Sequence, residues 1–233
     1  MKTNLQVILL AGAILPAALS FGRPPPPLPS AVAPPPPPLA PLAAQAAATV
    51  EGTVSQYLLN PDGDVDGLLL ADGMQVKFPP HMSGDLVRVV RPTEKVSVQG
   101  QRENERVVTG FTITNAANGQ SVTESPPSAL RPPGLQAASR RLMQADGKIR
   151  VVLYAPRGET EGAVLDNGTI VRMPPHIGAQ FASLLQAGQA ISARGYGTEN
   201  QFGRCIEATE IGAAGQTPTA IYGALPQAPA PPR

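Results

Sequence analysis

The sequence contains few of the residue types from which chemical sites are usually built. Its 233 residues include one cysteine, two histidines and no tryptophan, and aromatic residues make up 4% of the chain. One cysteine excludes a disulfide within the chain and any thiolate metal cluster. The sequence therefore predicts no cofactor and no metal ion. We expect the cysteine, Cys205, to be a small buried residue on a strand, with an intermolecular disulfide as the alternative.

The chain also lacks a strong charge of either sign. Its formal net charge is +1, and the stretches that are not rich in proline are acidic to neutral. Residues 51–125 carry six Lys or Arg against ten Asp or Glu, and residues 146–216 carry six against seven. A nucleic-acid-binding face is normally basic, because counterion release from phosphates supplies much of its affinity. The composition therefore does not favour nucleic acid as a partner.

Proline, in contrast, is abundant and clustered. Most of the 28 prolines lie in residues 21–48, in residues 125–145 and near the C-terminus. Such tracts favour extended conformations that bury little surface and cannot pair into sheets. We expect them to be disordered arms and linkers that let the segments between them move independently.

The N-terminal residues have the pattern of a secretory signal peptide. Lys2 precedes an apolar run over residues 7–19, and Ala18 and Ser20 are small residues in the positions that a signal peptidase reads. The run is shorter than the roughly twenty residues of a transmembrane helix. We therefore expect a periplasmic or secreted protein. An uncleaved anchor is the alternative, and membrane contact would then occur only through this segment.

An internal repeat is the most informative feature. A shift of 95 residues aligns 52–100 with 147–195 without a gap, and 13 of these 49 positions are identical. The identities include the triplet Pro79-Pro80-His81, which matches Pro174-Pro175-His176. Two copies of one small domain follow.

Hydrophobic periodicity predicts the elements within each copy. Three strands, a short amphipathic helix and two further strands are expected in that order, in the first copy at residues 52–59, 67–71, 74–78, 86–90, 96–100 and 107–114. Asp72-Gly73 marks a hairpin turn, because Gly tolerates the positive φ that such turns need. Residues 136–144 are predicted to form a further short helix.

This order of elements resembles the OB-fold, a five-stranded barrel. The pattern of Gly, an apolar strand, Asp-Gly or Asn-Gly, a second strand and Pro-Pro-His is similar to tandem OB-fold-like repeats of exported bacterial proteins. The resemblance implies a mainly β protein with two small five-stranded barrels, each with one short helix between strands three and four. It also implies a binding surface on the outer face of strands two and three. The expected divisions are a signal peptide (1–20), a Pro-rich arm (21–48), the first barrel (49–124), a linker (125–145), the second barrel (146–220) and a tail (221–233).

The candidate partner-binding residues lie on or beside strand three of each copy. They are Gln75, Lys77, His81, Arg172 and His176. Lys77 and Arg172 occupy the same place in the two copies and can bind an anionic group, and an ordinary solvated strand face is the alternative. His81 and His176 follow Pro-Pro at a helix start, where we expect a hydrogen bond to the local backbone.

Two further patterns are weaker. Asp62, Asp64 and Asp66 alternate as at the start of a calcium loop, but the twelfth position is Gly73 instead of a glutamate. An acidic, solvated loop is therefore expected. Arg204, Glu207 and Glu210 are residues of the last strand of the second copy for which we expect no equivalents in the first.

These observations predict an exported, non-enzymatic binding module of the bacterial envelope, with an envelope protein or polysaccharide as the unknown partner. No nucleophile or carboxylate repeats beside the histidines, so no catalytic residue is predicted. A nucleic-acid-binding OB-fold protein is one alternative. An envelope enzyme with a site in one copy only is the other.

Overall fold

The structure, a computed structural model, describes residues 47–126 and 140–222. The predicted signal peptide and the greater part of the three proline-rich tracts lie outside these ranges. Both repeats belong to one compact unit, Pro41–Arg233. No helix within the described ranges is long and apolar enough to cross a membrane.

The first repeat forms a closed barrel. Its elements are β1 (Ala47–Leu59), β2 (Val65–Leu70), β3 (Gln75–Lys77), a 3-10 helix (Pro80–Met82), α1 (Ser83–Val89), β4 (Lys95–Arg102), β5 (Val107–Asn115) and β6 (Ser121–Thr123). The strands neighbour one another in the order β3-β2-β1-β4-β5-β6, and a parallel pairing of β3 with β5 closes five of them into a barrel. β6 pairs only with β5 and lies outside the closed barrel.

The second repeat closes in the same way. Its elements are β7 (Arg141–Tyr154), β8 (Thr160–Leu165), β9 (Ile170–Arg172), α2 (Pro175–Gly178), a 3-10 helix (Ala179–Phe181), β10 (Ala190–Asn200), β11 (Gly203–Ala213) and β12 (Thr219–Ala220). The parallel pairing of β9 with β11 and the antiparallel pairing of β10 with β7 complete the barrel. The predicted fold class is confirmed: two five-stranded OB-like barrels, each with a short helical stretch between its third and fourth strands.

Three details differ from the expectation. Residues 141–144, predicted as part of a helix, belong to β7, because they pair with β10. The second barrel therefore begins inside the predicted linker. The helical stretch of the second barrel ends at Phe181, and a turn then carries Leu184 and Leu185, whose backbone N–H groups both donate to the Phe181 carbonyl.

The barrels share apolar packing, so the independence expected from the linker is wrong. On the strands of the second barrel, alternate residues belong to two different apolar clusters. Its own core contains Val171 and Ile206. The neighbouring residues point the other way and join the core cluster of the first barrel, namely Leu153, Val164, Ile170 and Cys205. The outer face of β7, β8, β9 and β11 is therefore buried against the first barrel.

Candidate functional site at the barrel interface

A cluster of four charged side chains joins the two barrels. Lys77 Nζ is 2.5 Å from Glu161 Oε1, and Arg172 donates to the same oxygen from 2.9 Å. Arg172 also donates to Asp66 Oδ1 at 2.6 Å and to the Leu59 carbonyl at 2.9 Å. All four charged side chains are at most 20% exposed. Each charge therefore has an opposite partner within a largely dehydrated contact.

The cluster is reciprocal. The repeat offset of 95 residues equates Lys77 with Arg172 and Asp66 with Glu161. The cation of each barrel bonds to the acid of the other. The two barrels thus meet through equivalent faces, as the subunits of a two-fold symmetric dimer do. These are the outer faces of strands two and three, on which OB-folds commonly bind ligands.

Burial and ion pairing shift the pKa values of these charged groups in opposite directions. Burial raises the pKa of Asp66, and Arg172 offsets only part of that change. Burial lowers the pKa of Lys77 against the opposing effect of Glu161. Burial also disfavours the charged form of Arg172, but Asp66 and Glu161 outweigh it and raise the pKa of that guanidinium. Arg172 is therefore the cation that the two carboxylates hold most firmly.

Gln75 links the barrels without charge. Its side chain is 1% exposed. The amide nitrogen donates to the Val152 carbonyl at 2.9 Å, and the amide oxygen accepts from the Tyr154 N–H at 3.0 Å. The amide thus pairs with β7 as a neighbouring strand would. Gln75, Lys77 and Arg172, predicted to face a partner, face the other barrel, and their binding of an external partner stays a prediction.

The acidic loop between β1 and β2 is also part of the contact. Asp62 accepts from Arg140 Nε at 2.7 Å, and Arg140 extends to Glu207 at 2.6 Å. The hydrogen bond from Arg140 lowers the pKa of Asp62. Gly63 has a φ of 93°, and a side chain there would come within 2.9 Å of Asn200 Nδ2. The loop therefore serves the barrel contact, and among the described residues no group of three or more possible metal ligands occurs.

The two histidines lie where the Pro-Pro pattern placed them, within the helical stretches. The His81 Nε2 atom is 2.9 Å from the Ser125 carbonyl oxygen, which belongs to a distant segment instead of the local backbone. The His176 carbonyl accepts from Gln180. No hydrogen bond or ion pair among the described residues joins either histidine to the charged cluster.

The residues of the last strand have structural partners. Arg204 donates to the Gln144 carbonyl at 2.6 Å. The expectation that Arg204 has no equivalent in the first barrel is wrong. Cys205 pairs with Ile170, and Val107 pairs in the same way with Gln75, so Cys205 and Val107 are equivalent. The residues directly before them, Arg204 and Arg106, are therefore equivalent too. The 95-residue shift does not align these two arginines, because the β10–β11 hairpin has three more residues between Gly195 and Cys205 than the β4–β5 hairpin has between Gly100 and Val107.

Cys205 is fully buried, as the sequence predicts. Burial raises the pKa of its thiol to about 12, and Arg172 lowers it only in part. A thiol without solvent contact cannot form the intermolecular disulfide that was the alternative.

Two grooves lie at the rims of the barrel contact. The larger has a volume of about 830 Å³ and runs from the β2–β3 turn to β7. The smaller has a volume of about 460 Å³ and runs from the end of β1 to the β8–β9 turn. Both are of the size that small ligands occupy.

Neither a protein-family model nor a curated protein matches the chain. Two solved structures of the single-stranded DNA binding protein from Thermus aquaticus are similar to it. The deletion mutant is 16% identical over 72% of this chain and 94% of that chain, and the wild type is 15% identical over 73% and 93%. The TM-score is 0.23 for both. Binding of single-stranded DNA is a property named for those proteins.

Proposed function

We propose that this chain is an exported, non-enzymatic binding module of the bacterial envelope whose working unit is the barrel pair. One observation carries the proposal. The equivalent faces of the two barrels are bonded to each other through Lys77, Glu161, Arg172 and Asp66. A ligand therefore meets the pair as one body, at its rims and outer surface, instead of meeting two separate barrels. Export is supported by the apolar N-terminal run, and the partner class is an envelope protein or polysaccharide.

The positions of the charged groups support binding over catalysis. Two of the three charged residues of the last strand that favoured an enzyme are engaged in structural bonds: Glu207 pairs with Arg140, and Arg204 donates to the Gln144 carbonyl. A general acid or base must instead reach a substrate proton. The nucleic-acid alternative gains no support either, because the OB faces are covered and the first barrel carries more acidic than basic residues.

The test is direct binding to separated envelope material. The full chain is immobilised, and the protein and polysaccharide fractions of a bacterial envelope extract are passed over it, with a thymidine oligomer as a polyanion control. Saturable binding to one envelope fraction, with the eluted ligand chemically unchanged, is expected. Binding to the oligomer alone, or conversion of the ligand, would refute the proposal.

A further inference from the structure

The two rim grooves are equivalent by the repeat but differ in content. Each is built from the turn after strand two of one barrel and the first strand of the other. Each also contains an arginine at the start of the last barrel strand, which is Arg106 directly before β5 in the larger groove and Arg204 in β11 in the smaller. Their volumes, about 830 and 460 Å³, differ nearly twofold.

The longer β10–β11 hairpin accounts for the smaller volume. It brings Phe202 onto Tyr57, with ring centroids 5.8 Å apart and the rings nearly perpendicular. It also brings Gly203 against Leu59, whose Cδ1 atom would lie 3.3 Å from a side-chain carbon there. The shorter β4–β5 hairpin supplies Glu105 and Arg106 to the larger groove and no such aromatic residue. The chain itself thus fills part of the smaller groove and leaves the larger one open.

The larger groove contains two arginines that have neutral partners. The Arg106 guanidinium lies over the Tyr154 ring, 5.3 Å from its centroid, and donates to the Tyr154 hydroxyl at 3.4 Å. Arg150 of the second barrel donates to the side-chain oxygen of Gln56 of the first. Among the described residues, neither arginine has a carboxylate within ion-pair distance. Their remaining N–H groups are available to a ligand.

Acceptors line the same groove. Asp72 and Glu105 are exposed carboxylates on its first-barrel side. The two carboxylates cancel the formal charge of the two arginines. Thr160 and Gln186 add groups that both donate and accept. The groove therefore presents mixed donors and acceptors around an aromatic ring, with no net charge.

This chemistry selects among ligand classes. A nucleic acid would place phosphates beside Asp72 and Glu105, and the groove offers no excess of positive charge to offset that repulsion. A hydroxyl-rich ligand uses both kinds of group, since each hydroxyl donates to a carboxylate and accepts from a guanidinium. We propose, on the basis of the binding function above, that the larger groove is a site for an oligosaccharide. The sugar hydroxyls bond to Arg106, Arg150 and Glu105.

The groove is held in shape before any ligand arrives. The bonds from Gln75 to the backbone of β7 fix its floor. Asn104 donates to the carbonyls of Ala155 and Pro156 and fixes one end. Preorganisation of this kind reduces the entropy cost of binding. The site also joins both barrels, which explains why one barrel alone would not form it.

The test uses the full chain on an array of bacterial wall and surface glycans, followed by calorimetric titration of the bound glycan. Ala187→Trp places a large ring at an exposed position of the groove without removing a hydrogen bond. Ala117→Trp is the matched control, because Ala117 is an exposed alanine on a turn of the first barrel that lines neither groove. Arg106→Gln removes the guanidinium. We expect each groove variant to weaken binding about tenfold or more, and the control to change it less than about twofold.

Each result has a defined meaning. Loss of glycan binding in Ala187→Trp and Arg106→Gln, with the control unchanged and all variants folded by circular dichroism, supports the site. If the Ala187→Trp variant binds the glycan as the wild type does, the assignment of the site to the larger groove is overturned and the proposed function stands. Binding of an envelope protein, with no glycan bound, overturns the oligosaccharide but keeps the proposed function. Binding of the thymidine oligomer alone overturns both proposals. No binding to any of these overturns both proposals.

Discussion

Replacement of Arg172 tests whether the charged cluster holds the barrels together. In Arg172→Met the new side chain is apolar and of similar length, so packing is largely kept while the charge is lost. Asp66 and Glu161 would remain buried, Asp66 would lose the cation that bonds to it, and the Leu59 carbonyl would lose its donor. Removing one member of a buried ion pair usually costs about 3–5 kcal/mol, because the other charge stays desolvated. We expect a loss of that size in the free energy of unfolding.

Lys77→Met provides the comparison inside the same cluster. Within residues 47–126 and 140–222, Lys77 forms an ion pair with Glu161 alone, and Glu161 keeps its bond to Arg172 in the variant. One charged hydrogen bond is lost and no carboxylate is left alone, so we expect a smaller loss of about 1–2 kcal/mol. Arg88→Met is the outside control. Arg88 and Asp85 are 81% and 62% exposed and lie 3.8 Å apart, so the change should be within about 0.5 kcal/mol.

The assay is urea unfolding of the full chain, followed by circular dichroism. Hydrogen exchange in β7 shows whether the Arg172→Met variant has lost the contact or only global stability. The expected order of destabilisation is Arg172→Met, then Lys77→Met, then Arg88→Met. Equal losses for Arg172→Met and Lys77→Met would refute the assignment of Arg172 as the shared cation. Losses no larger than that of Arg88→Met would refute the interface itself.

Three further predictions concern single residues. Cys205 should react with a thiol reagent at about pH 8 only after denaturation, because its thiol is buried with a pKa of about 12; labelling of the folded chain at the unfolded rate would contradict this. Asp62 has a pKa below its ordinary value of 3.8 in the folded state, so the folded chain binds fewer protons than the unfolded chain between these two values. The stability that Asp62 gains from Arg140 should therefore be constant above that window and lost as the pH falls through the lowered pKa. The urea midpoints of wild type and Asp62→Asn should accordingly converge on going from about pH 6 to about pH 3, and a gap that widens would show the opposite sign. Gly195→Ala should cost more than about 2 kcal/mol in thermal unfolding, because its Cβ atom would lie 1.8 Å from the Glu207 carbonyl oxygen, and a loss below about 0.5 kcal/mol would show that the backbone there can yield.

The fold could be predicted because the repeated glycines and apolar residues have local geometric causes. Gly100 and Gly195 each lie at an irregular point of a strand pairing. A side chain there would come within 2.1 and 1.8 Å of a carbonyl oxygen on the neighbouring strand. Gly73 and Gly168 have φ values of 89° and 83° in their hairpin turns. These requirements for glycine arise from contacts within a single barrel. Each barrel therefore needs its own glycines, and the same pattern occurs twice in the sequence.

The barrel contact could not be predicted because it depends on pairs from different copies. Lys77 and Gln75 alternate with apolar residues on β3, a pattern that an exposed strand face would also give. A signal was nevertheless present: an acid repeats at Asp66 and Glu161 just as the cation repeats at Lys77 and Arg172. A solvated acidic loop, as expected for this segment, gives Asp66 no specific partner and so does not predict its pairing with Arg172. The three extra residues of the β10–β11 hairpin likewise shift Arg204 out of the 95-residue alignment with Arg106.

Because the barrels bond to each other directly, their relative position does not depend on the connecting peptide alone. Residues 126 and 140 are joined through the chain, yet the relative position of the two barrels is set by Lys77, Gln75 and Arg172 with their partners across the contact. The covalent connection also keeps the two barrels at a high effective concentration. Cleavage of the connecting peptide should therefore leave two chains held together by the same contacts. Proteolytic cleavage and separation of the two barrels are thus separate events.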